Sequence, residues 1–228
     1  MASIGLKMPV FAPIDGEIEE GTRPTYKSGF VIGKAIKADV TINYAEATLY
    51  ADDILAESDS SFQTGTIDVG VDEITLDIHS KLFGSKLVDV EGTSELHAGA
   101  KNVSPHGGFG YYKTKVINKK TKYLAKWFLD VQFKPGNDSS ETKGDSTSFV
   151  TPEFSGTIFC IPGLEEDTYA EEAFFDTEAD AKAWLKGKAN ITASRVAVQN
   201  VSAPATTSTT TSVTPKSGTT SLSTSTDK

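Results

Sequence analysis

The side chains with the greatest capacity for chemistry are two adjacent carboxylates, one cysteine and three histidines. Asp52 and Asp53 follow an aromatic residue in the stretch YADD. Adjacent residues of a strand point to opposite faces of a sheet, whereas two carboxylates that hydrolyse one bond must converge on one cleft. We therefore interpret Asp52 and Asp53 as residues of a turn, with Tyr50 packing beside it.

The remaining reactive residues do not form a recognisable site. Cys160 lies in the apolar stretch TIFCI, which is typical of a buried and unreactive thiol. His79, His97 and His106 show no spacing of four residues, and the chain has no second cysteine, so the pattern of a zinc site is absent. The stretches GFVIGKA and HGGFG contain glycines but lack the spacing or the context of a phosphate-binding loop. We expect no enzyme, no cofactor and no metal.

Composition indicates one folded domain followed by a tail. The chain has 228 residues, of which 38% are hydrophobic, and a formal net charge of -9. No stretch reaches the roughly 20 apolar residues of a membrane span, and an acidic body repels the phosphates of nucleic acid. Residues 203–228 are rich in Ser and Thr and contain no aromatic residue, so they cannot form a core. We expect a domain over residues 1–202 and a disordered tail over residues 203–228.

Alternation of apolar and polar residues predicts strands in two places. IKADVTINY, residues 36–44, and TIDVGVD, residues 66–72, both place their apolar residues on one face. The next stretch, DEITLDIHSKLFG, has apolar residues every four positions. This spacing predicts a short helix that is capped by Asp72 and ended by Gly84.

A second helix is predicted in DTEADAKAWLKG, near the end of the domain. Thr177 and Asp180 form the pattern of a capping box at its start, and Gly187 marks its end. The spacing of the apolar residues predicts that Ala183 and Trp184 lie on the buried side.

Between these two helices, residues 108–137 predict a long hairpin with a turn at residues 118–121. In its second arm, alternate residues from Tyr123 to Phe133 form one wholly apolar face, and the other face is half apolar. A strand that is apolar on both faces is buried on both. An additional partner, such as another subunit, would explain this arm.

Three stretches of the chain carry a resemblance to a known family. They are LYADDILAESDSSFQTGTIDVGVDEI at 49–74, GFGYYKTKVINKKTKYLAKWFLDVQFKPG at 108–136 and ETKGDSTSFVTPEFSGTIF at 141–159. In order and spacing they resemble the phage major tail protein family, the tail tube subunits of long non-contractile-tailed phages (siphophages). The resemblance covers about residues 3–160 and extends loosely to Gly187.

The resemblance implies an assembly protein. The implied fold class is mainly β, a β-sandwich/barrel-forming tail tube fold with one or two short flanking helices. Six subunits would close into a ring, and stacked rings would form the tube of a virion tail, assembled in the host cytoplasm, through which duplex DNA passes without specific binding. The implied partners are further copies of the chain and the tape-measure, distal tail and tail terminator proteins, with no membrane.

The resemblance and the strand pattern together give candidate residues for three roles. A bore in which DNA slides must be acidic or neutral, because lysines would hold the phosphates. The polar sides of the two alternating strands supply the lumen candidates Asp39, Thr41, Asp68 and Asp72. The candidates for a loop between rings are Tyr50, Asp52 and Asp53. The candidates for a strand between subunits are Trp127, Phe128 and Leu129.

An alternative interpretation is a cell-surface or host-binding β-module whose threonine-rich end acts as a stalk. The Ser/Thr-rich tail and the β content favour it. The N-terminal stretch MASIGLKMPVFAPI opposes it, because Pro9 and Pro13 interrupt the apolar run that a secretory signal requires. Rings or tubes formed by the purified protein would distinguish the tail tube from this module.

Overall fold

The computed structural model describes residues 2–51, 54–136 and 151–191, which contain ten strands and two helices. All of them belong to the first of two units, which ends at Arg195, and the predicted tail lies in the second unit, outside the described residues. The mainly β fold predicted from the sequence is confirmed. The elements are β1 Ala2–Pro13, β2 Phe30–Val31, β3 Ala35–Ala51, β4 Ile54–Val71, α1 Leu76–Phe83, β5 Lys86–Val90, β6 Thr93–His97, β7 His106–Ile117, β8 Lys120–Pro135, β9 Glu153–Phe159, β10 Ala170–Phe175 and α2 Glu178–Lys188.

Eight of the strands form one antiparallel sheet in the order β2-β1-β7-β8-β9-β4-β3, with β10 added beside β8. β10 pairs with residues 123–128 of β8, and β9 pairs with residues 130–135 of the same strand. The sheet curls so that β1 contacts β3, although these two strands are not hydrogen-bonded to each other. β5 and β6 form a separate two-stranded hairpin beside α1.

A β-bulge in β8 reverses the direction of its side chains. Gly107 pairs with Val131, and the next pair is Phe109 with Phe128, so β8 advances three residues while β7 advances two. Because one extra residue exchanges the two faces of a strand, Phe128 and Val131 point to the same side. The prediction that alternate residues from Tyr123 to Phe133 share one face is therefore wrong.

Two hydrophobic cores lie on opposite faces of the sheet. The inner core lies under α1 and contains Phe11, Phe109 and Phe133, whose rings meet edge to face at centroid distances of 5.7 and 5.1 Å. The α2 core lies between the other face and α2, and it contains Trp127 and Leu185. The bulge lets β8 contribute aromatic residues to both cores. This explains why its sequence is apolar on both sides.

Two glycines of the stretch HGGFG, Gly108 and Gly110, make room for Trp127 in the α2 core. A Cβ atom at Gly108 would lie 2.1 Å from the Trp127 ring, and one at Gly110 would lie 2.6 Å from it. On the other side, the Trp127 Nε1–H donates to the hydroxyl of Tyr26 over 3.4 Å, and this hydroxyl donates to the Leu129 carbonyl over 2.8 Å. The glycines of β7 are therefore explained by packing.

The predicted helix after β4 is present as α1, but it begins later than expected. Thr75 is the N-cap, and its hydroxyl accepts a hydrogen bond from the amide of Ile78. The prediction that Asp72 caps this helix is wrong, because the carboxylate of Asp72 binds Lys34 instead. Gly84 ends the helix in the left-handed conformation, at a φ of 71°, as predicted.

The second predicted helix is α2, and Thr177 is its N-cap, since the Thr177 hydroxyl accepts from the amide of Asp180 and donates to the Asp180 carboxylate. Its fully buried residues are Ala181 and Leu185, which are four residues apart and face β8. The prediction that Ala183 lies on the buried side is wrong, because this residue is exposed. No helix in the described ranges is long and apolar enough to cross a membrane.

Candidate assembly surfaces

The hairpin of β3 and β4 extends far beyond the rest of the sheet. The two strands pair from Ala35 with Val71 to Ala51 with Ile54, with three register shifts along the way, whereas β9 pairs with β4 only over residues 65–70. The ring of Tyr169 stacks on that of Phe62, with 4.8 Å between the ring centroids, and supports the point where the hairpin leaves the sheet. Beyond it, residues 45–51 and 54–61 form a two-stranded distal ribbon. At about 3.3 Å per residue the ribbon projects roughly 20 Å.

The outer edge of β3 has no strand partner within the described residues. β3 ends the order of the sheet, and it contacts β1. Near its start, Gly5, Leu6 and residues 36–39 line a cavity of about 370 Å³. Its 17 residues include no proline and one lysine, Lys37. Soluble proteins usually protect such an edge with proline, lysine or a covering loop, because unpaired amides and carbonyls attract another strand. β3 is therefore suited to accept a strand from another molecule.

Three lumen candidates lie side by side on one exposed face of the sheet. Asp39 pairs with Asp68, which pairs with Ser155, and Thr41 pairs with Thr66, which pairs with Thr157. We call these six residues the polar sheet face. The apolar residues between them, such as Ile67, point into the inner core. The register thus joins polar side chains of three strands into one surface.

The charges on and beside the polar sheet face nearly cancel. Asp39 forms a salt bridge of 3.5 Å with Lys37 at one side. On the opposite side of the face, Lys134 of β8 pairs with Ser155, which in turn pairs with Asp68. Lys134 therefore lies in the same row of paired residues as Asp68. Glu153 lies in the next row, on the other side of Gly70 from Lys37. Three carboxylates and two amines are therefore spread among hydroxyl groups, so the face carries a small net negative charge.

The structure separates Asp72 from the other lumen candidates. β4 ends at Val71, and the chain then turns towards α1. The carboxylate of Asp72 accepts a hydrogen bond of 2.7 Å from the amide of Lys34 and lies 3.4 Å from its Nζ atom. These contacts, with the backbone hydrogen bond as the largest cause, lower the pKa of Asp72. Asp72 thus joins the start of β3 to the end of β4.

Of the candidates for the loop between rings, the structure describes the backbone of Tyr50, at the far end of the distal ribbon. Tyr50 belongs to β3, and its backbone pairs with Leu55 of β4. Asp52 and Asp53 lie outside the described residues, between the last residue of β3 and the first residue of β4. Their role in contacts between rings stays a prediction.

The candidates for a strand between subunits are buried inside the single chain. The side chains of Trp127 and Phe128 are 0% exposed, and that of Leu129 is 2% exposed. Trp127 and Leu129 belong to the α2 core, and Phe128 belongs to the inner core. The two cores of one chain therefore account for the apolar residues of β8, and no exposed side chain is left here for a neighbour.

A hydrogen bond between a histidine and a buried carboxylate, which the sequence did not indicate, lies at the bulge of β8. Asp130 is 2% exposed, and both of its oxygens lie 2.9 Å from Nδ1 of His106. Burial raises the pKa of Asp130, and the nearby His106 opposes this effect. The two residues are 24 positions apart in the chain, so only the register of β7 and β8 brings them together. The pair fixes the start of β7 against the bulge.

A larger cavity of about 460 Å³ lies beside α1 and the end of β8, and its titratable lining residues are His79 and Lys134. Nδ1 of His79 is buried without a hydrogen-bond partner, and burial lowers the pKa of this side chain. No carboxylate or cysteine lines this cavity within the described residues. We therefore place the candidate surfaces on the sheet.

The geometry thus provides two surfaces for contacts with other molecules. One is the strand edge of β3 with its distal ribbon, and the other is the polar sheet face beside it. Both include strands of the β3–β4 hairpin, so a partner strand on β3 would extend the sheet that carries the polar face. The chain matches no model of a known protein family, and it shows no significant similarity to a curated protein sequence.

Proposed function

We propose that the protein is the tail tube subunit of a long non-contractile-tailed phage. In this proposal the chain assembles into hexameric rings, and stacked rings form the tube through which DNA is ejected. The observation that carries the proposal is the unprotected outer edge of β3, together with the distal ribbon. The resemblance of residues 49–74, 108–136 and 141–159 to tail tube proteins indicates the kind of assembly that such an edge would serve.

Ring closure gives the edge of β3 a partner. When the edge of one subunit pairs with a strand of the next, the contact is head to tail, and a suitable rotation closes it into a ring. Each backbone hydrogen bond formed in this way contributes about 0.5–1.5 kcal/mol. A closed ring also leaves no free edge for uncontrolled aggregation. Pairing along β3 therefore stabilises the ring and limits its size.

The distal ribbon serves the contact between successive rings in this proposal. An isolated two-stranded ribbon is only marginally stable in water, so it needs a surface to pack on. Because it projects beyond the sheet, it reaches past the edge of its own subunit. In this proposal Tyr50 meets the adjacent ring, together with Asp52 and Asp53, which follow β3 in the sequence.

The polar sheet face lines the bore in this proposal. Duplex DNA carries one negative charge per ~1.7 Å, and a surface rich in lysine would retain it by counterion release. The hydroxyl groups of Thr41 and Thr66 and the carboxylates of Asp39 and Asp68 provide no such attraction. Lys37 forms a salt bridge with Asp39, and this weakens the attraction of Lys37 for the phosphates of DNA. The bore would therefore let DNA slide.

The remaining partners follow from the position of a tube in the virion. A tube of defined length needs a tape-measure protein inside it, a distal tail protein at one end and a tail terminator protein at the other. We propose that the chain contacts all three after its synthesis in the host cytoplasm. The hexameric ring then sets the symmetry of these contacts.

Electron microscopy of the purified full chain at high concentration tests the proposed function. We expect rings and tubes, because a higher protein concentration shifts the equilibrium from free subunits towards subunits paired through β3. Sedimentation of the same samples measures the assembled fraction over a dilution series. A chain that stays monomeric at every concentration would contradict a tail tube subunit and would favour a cell-surface or host-binding module.

A further inference from the structure

The turn of the β7–β8 hairpin carries a concentration of positive charge in an acidic chain. Residues 111–126 contain six lysines and no acidic residue. Lys115 pairs with Lys122, and Ile117 pairs with Lys120, so lysines of both strands share one face of the hairpin. Lys119 lies in the turn itself and is exposed.

Four of these six lysines have no carboxylate partner in the described ranges. Lys122 forms a salt bridge of 2.5 Å with Asp176, and Lys126 forms one of 2.8 Å with Glu172. The ammonium group of Lys115 lies 5.6 Å from the ring centre of Phe174. The four without a salt bridge, which we call the lysine end, are Lys113, Lys115, Lys119 and Lys120.

A matching concentration of negative charge lies at the other end of β1. The loop DGEIEEG follows β1, and the loop between β9 and β10 contains GLEED. The amide of Gly21 donates a hydrogen bond of 2.8 Å to the carbonyl of Pro162 and holds the two loops together. Exposed glutamates of these loops form no salt bridge within the described residues, and we call them the acidic loop pair. They are Glu17, Glu19, Glu20, Glu165 and Glu166.

The two charged surfaces cannot meet within one molecule. Ala2, at the start of β1, pairs with Val116 beside the lysine end, and Pro13, at its end, pairs with Gly107 where the first acidic loop begins. β1 has 12 residues. At about 3.3 Å per residue, roughly 36 Å separate the two surfaces along the strand direction. Each surface therefore needs its partner on a second molecule.

We propose that the lysine end of one copy docks on the acidic loop pair of the next copy. Opposite charges at opposite ends of the same strands give a head-to-tail contact, which repeats along the strand direction instead of closing on itself. The inference rests on the proposed function, and it identifies a stacking contact between successive rings besides the distal ribbon. Because the net charge of -9 repels nucleic acid, the acidic surface of another copy fits the lysine end better than DNA does.

Charge reversal on each side of the contact tests this inference. The lysine variant carries Lys115→Glu, Lys119→Glu and Lys120→Glu. The acidic variant carries Glu17→Lys, Glu19→Lys and Glu166→Lys. The control variant makes the same change of net charge as the lysine variant at exposed lysines elsewhere, by Lys86→Glu, Lys101→Glu and Lys186→Glu.

We expect the lysine variant and the acidic variant each to form rings but few tubes. Loss of three ion pairs, together with new repulsion, should shorten the mean tube length at least about tenfold. Both ends of the lysine variant are acidic, and both ends of the acidic variant are basic. An equimolar mixture should therefore recover long tubes, in which the acidic end of one variant contacts the basic end of the other. Tubes of the wild-type chain should also shorten in 1 M salt, because at this concentration the attraction between charges is screened beyond about 3 Å.

Three outcomes would overturn the stacking contact. The first is that the two charge-reversed variants form tubes as long as those of the control variant, and the second is that the mixture stays without tubes. The third is that the wild-type chain retards duplex DNA in a gel and the lysine variant does not, while tube length is unchanged. If the wild-type chain itself forms neither rings nor tubes, the proposed function fails, and the stacking contact fails with it. Thermal melting of each variant confirms that the subunit is folded.

Discussion

A chain in which Asn-Gly replaces residues 45–61 is expected to lose tube formation and to keep the fold of the subunit. The replacement removes the distal ribbon and joins Tyr44 to Phe62, which pair with each other in β3 and β4. Asn-Gly favours a tight two-residue turn between paired strands. We expect no tubes by electron microscopy, because the proposed contact between rings is gone. The melting temperature should stay within about 3 °C, which corresponds to about 1 kcal/mol.

A second hairpin provides the control for this experiment. The turn of β5 and β6 contains Glu91 and Gly92, so Glu91→Asn places the same Asn-Gly turn there without shortening any strand. This control should form normal tubes. Tubes of normal length from the shortened chain would contradict a role of the distal ribbon in stacking. Loss of the subunit fold would show that the ribbon supports the inner core.

Trp127→Ala is expected to cost about 3–5 kcal/mol of the free energy of unfolding. The side chain is 0% exposed, and its ring meets that of Tyr26 edge to face at 5.4 Å. Gly108 and Gly110 of β7 shape the space around it, so no larger neighbour can refill the cavity. Urea titration followed by circular dichroism measures the change, and the slope of the transition should stay constant.

Trp184→Ala is the matched control, since it removes the other tryptophan of the chain. Trp184 is only half-buried at the rim of the α2 core, where its ring lies 6.0 Å from that of Phe175. Its loss should cost less than half as much as the loss of Trp127. If the two variants unfold with equal free energies, Trp127 does not anchor the α2 core as described.

The parts of the fold that follow local rules could be predicted from the sequence. Strict alternation in residues 36–44 and 66–72 predicted parts of β3 and β4, because side chains of a strand repeat every two residues. Gly84 and Thr177 mark helix ends, since their backbone and side-chain chemistry is used at those positions. Each of these signals depends on a few neighbouring residues.

The parts that depend on distant pairing could not be predicted. β1 contains Pro9 and Pro13, which hid its strand character, and its place beside β7 depends on residues about 100 positions away. The bulge of β8 is set by the register with β7, and without it the sequence suggests one continuous apolar face. The pair of His106 and Asp130 arises from the same register.

The candidate surfaces likewise contain residues that local patterns placed correctly and residues that they did not. Asp39, Thr41 and Asp68 share a face because alternation and strand pairing together place them there. Asp72 was placed with them by extending the alternation one residue past the end of β4, where the chain turns and Lys34 binds its carboxylate. The apolar residues of β8 suggested an external partner, since one sequence cannot reveal that α2 covers them.

Cryo-electron microscopy of the assembled protein tests the central claim most directly, because it shows which residues meet between copies and which line the bore. We predict that the outer edge of β3 is hydrogen-bonded to a strand of the neighbouring subunit. We also predict that Asp39, Thr41 and Asp68 face the bore. Particles in which β3 keeps a free edge, or in which the polar sheet face lies on the outer wall and lysines line the bore, would contradict the claim.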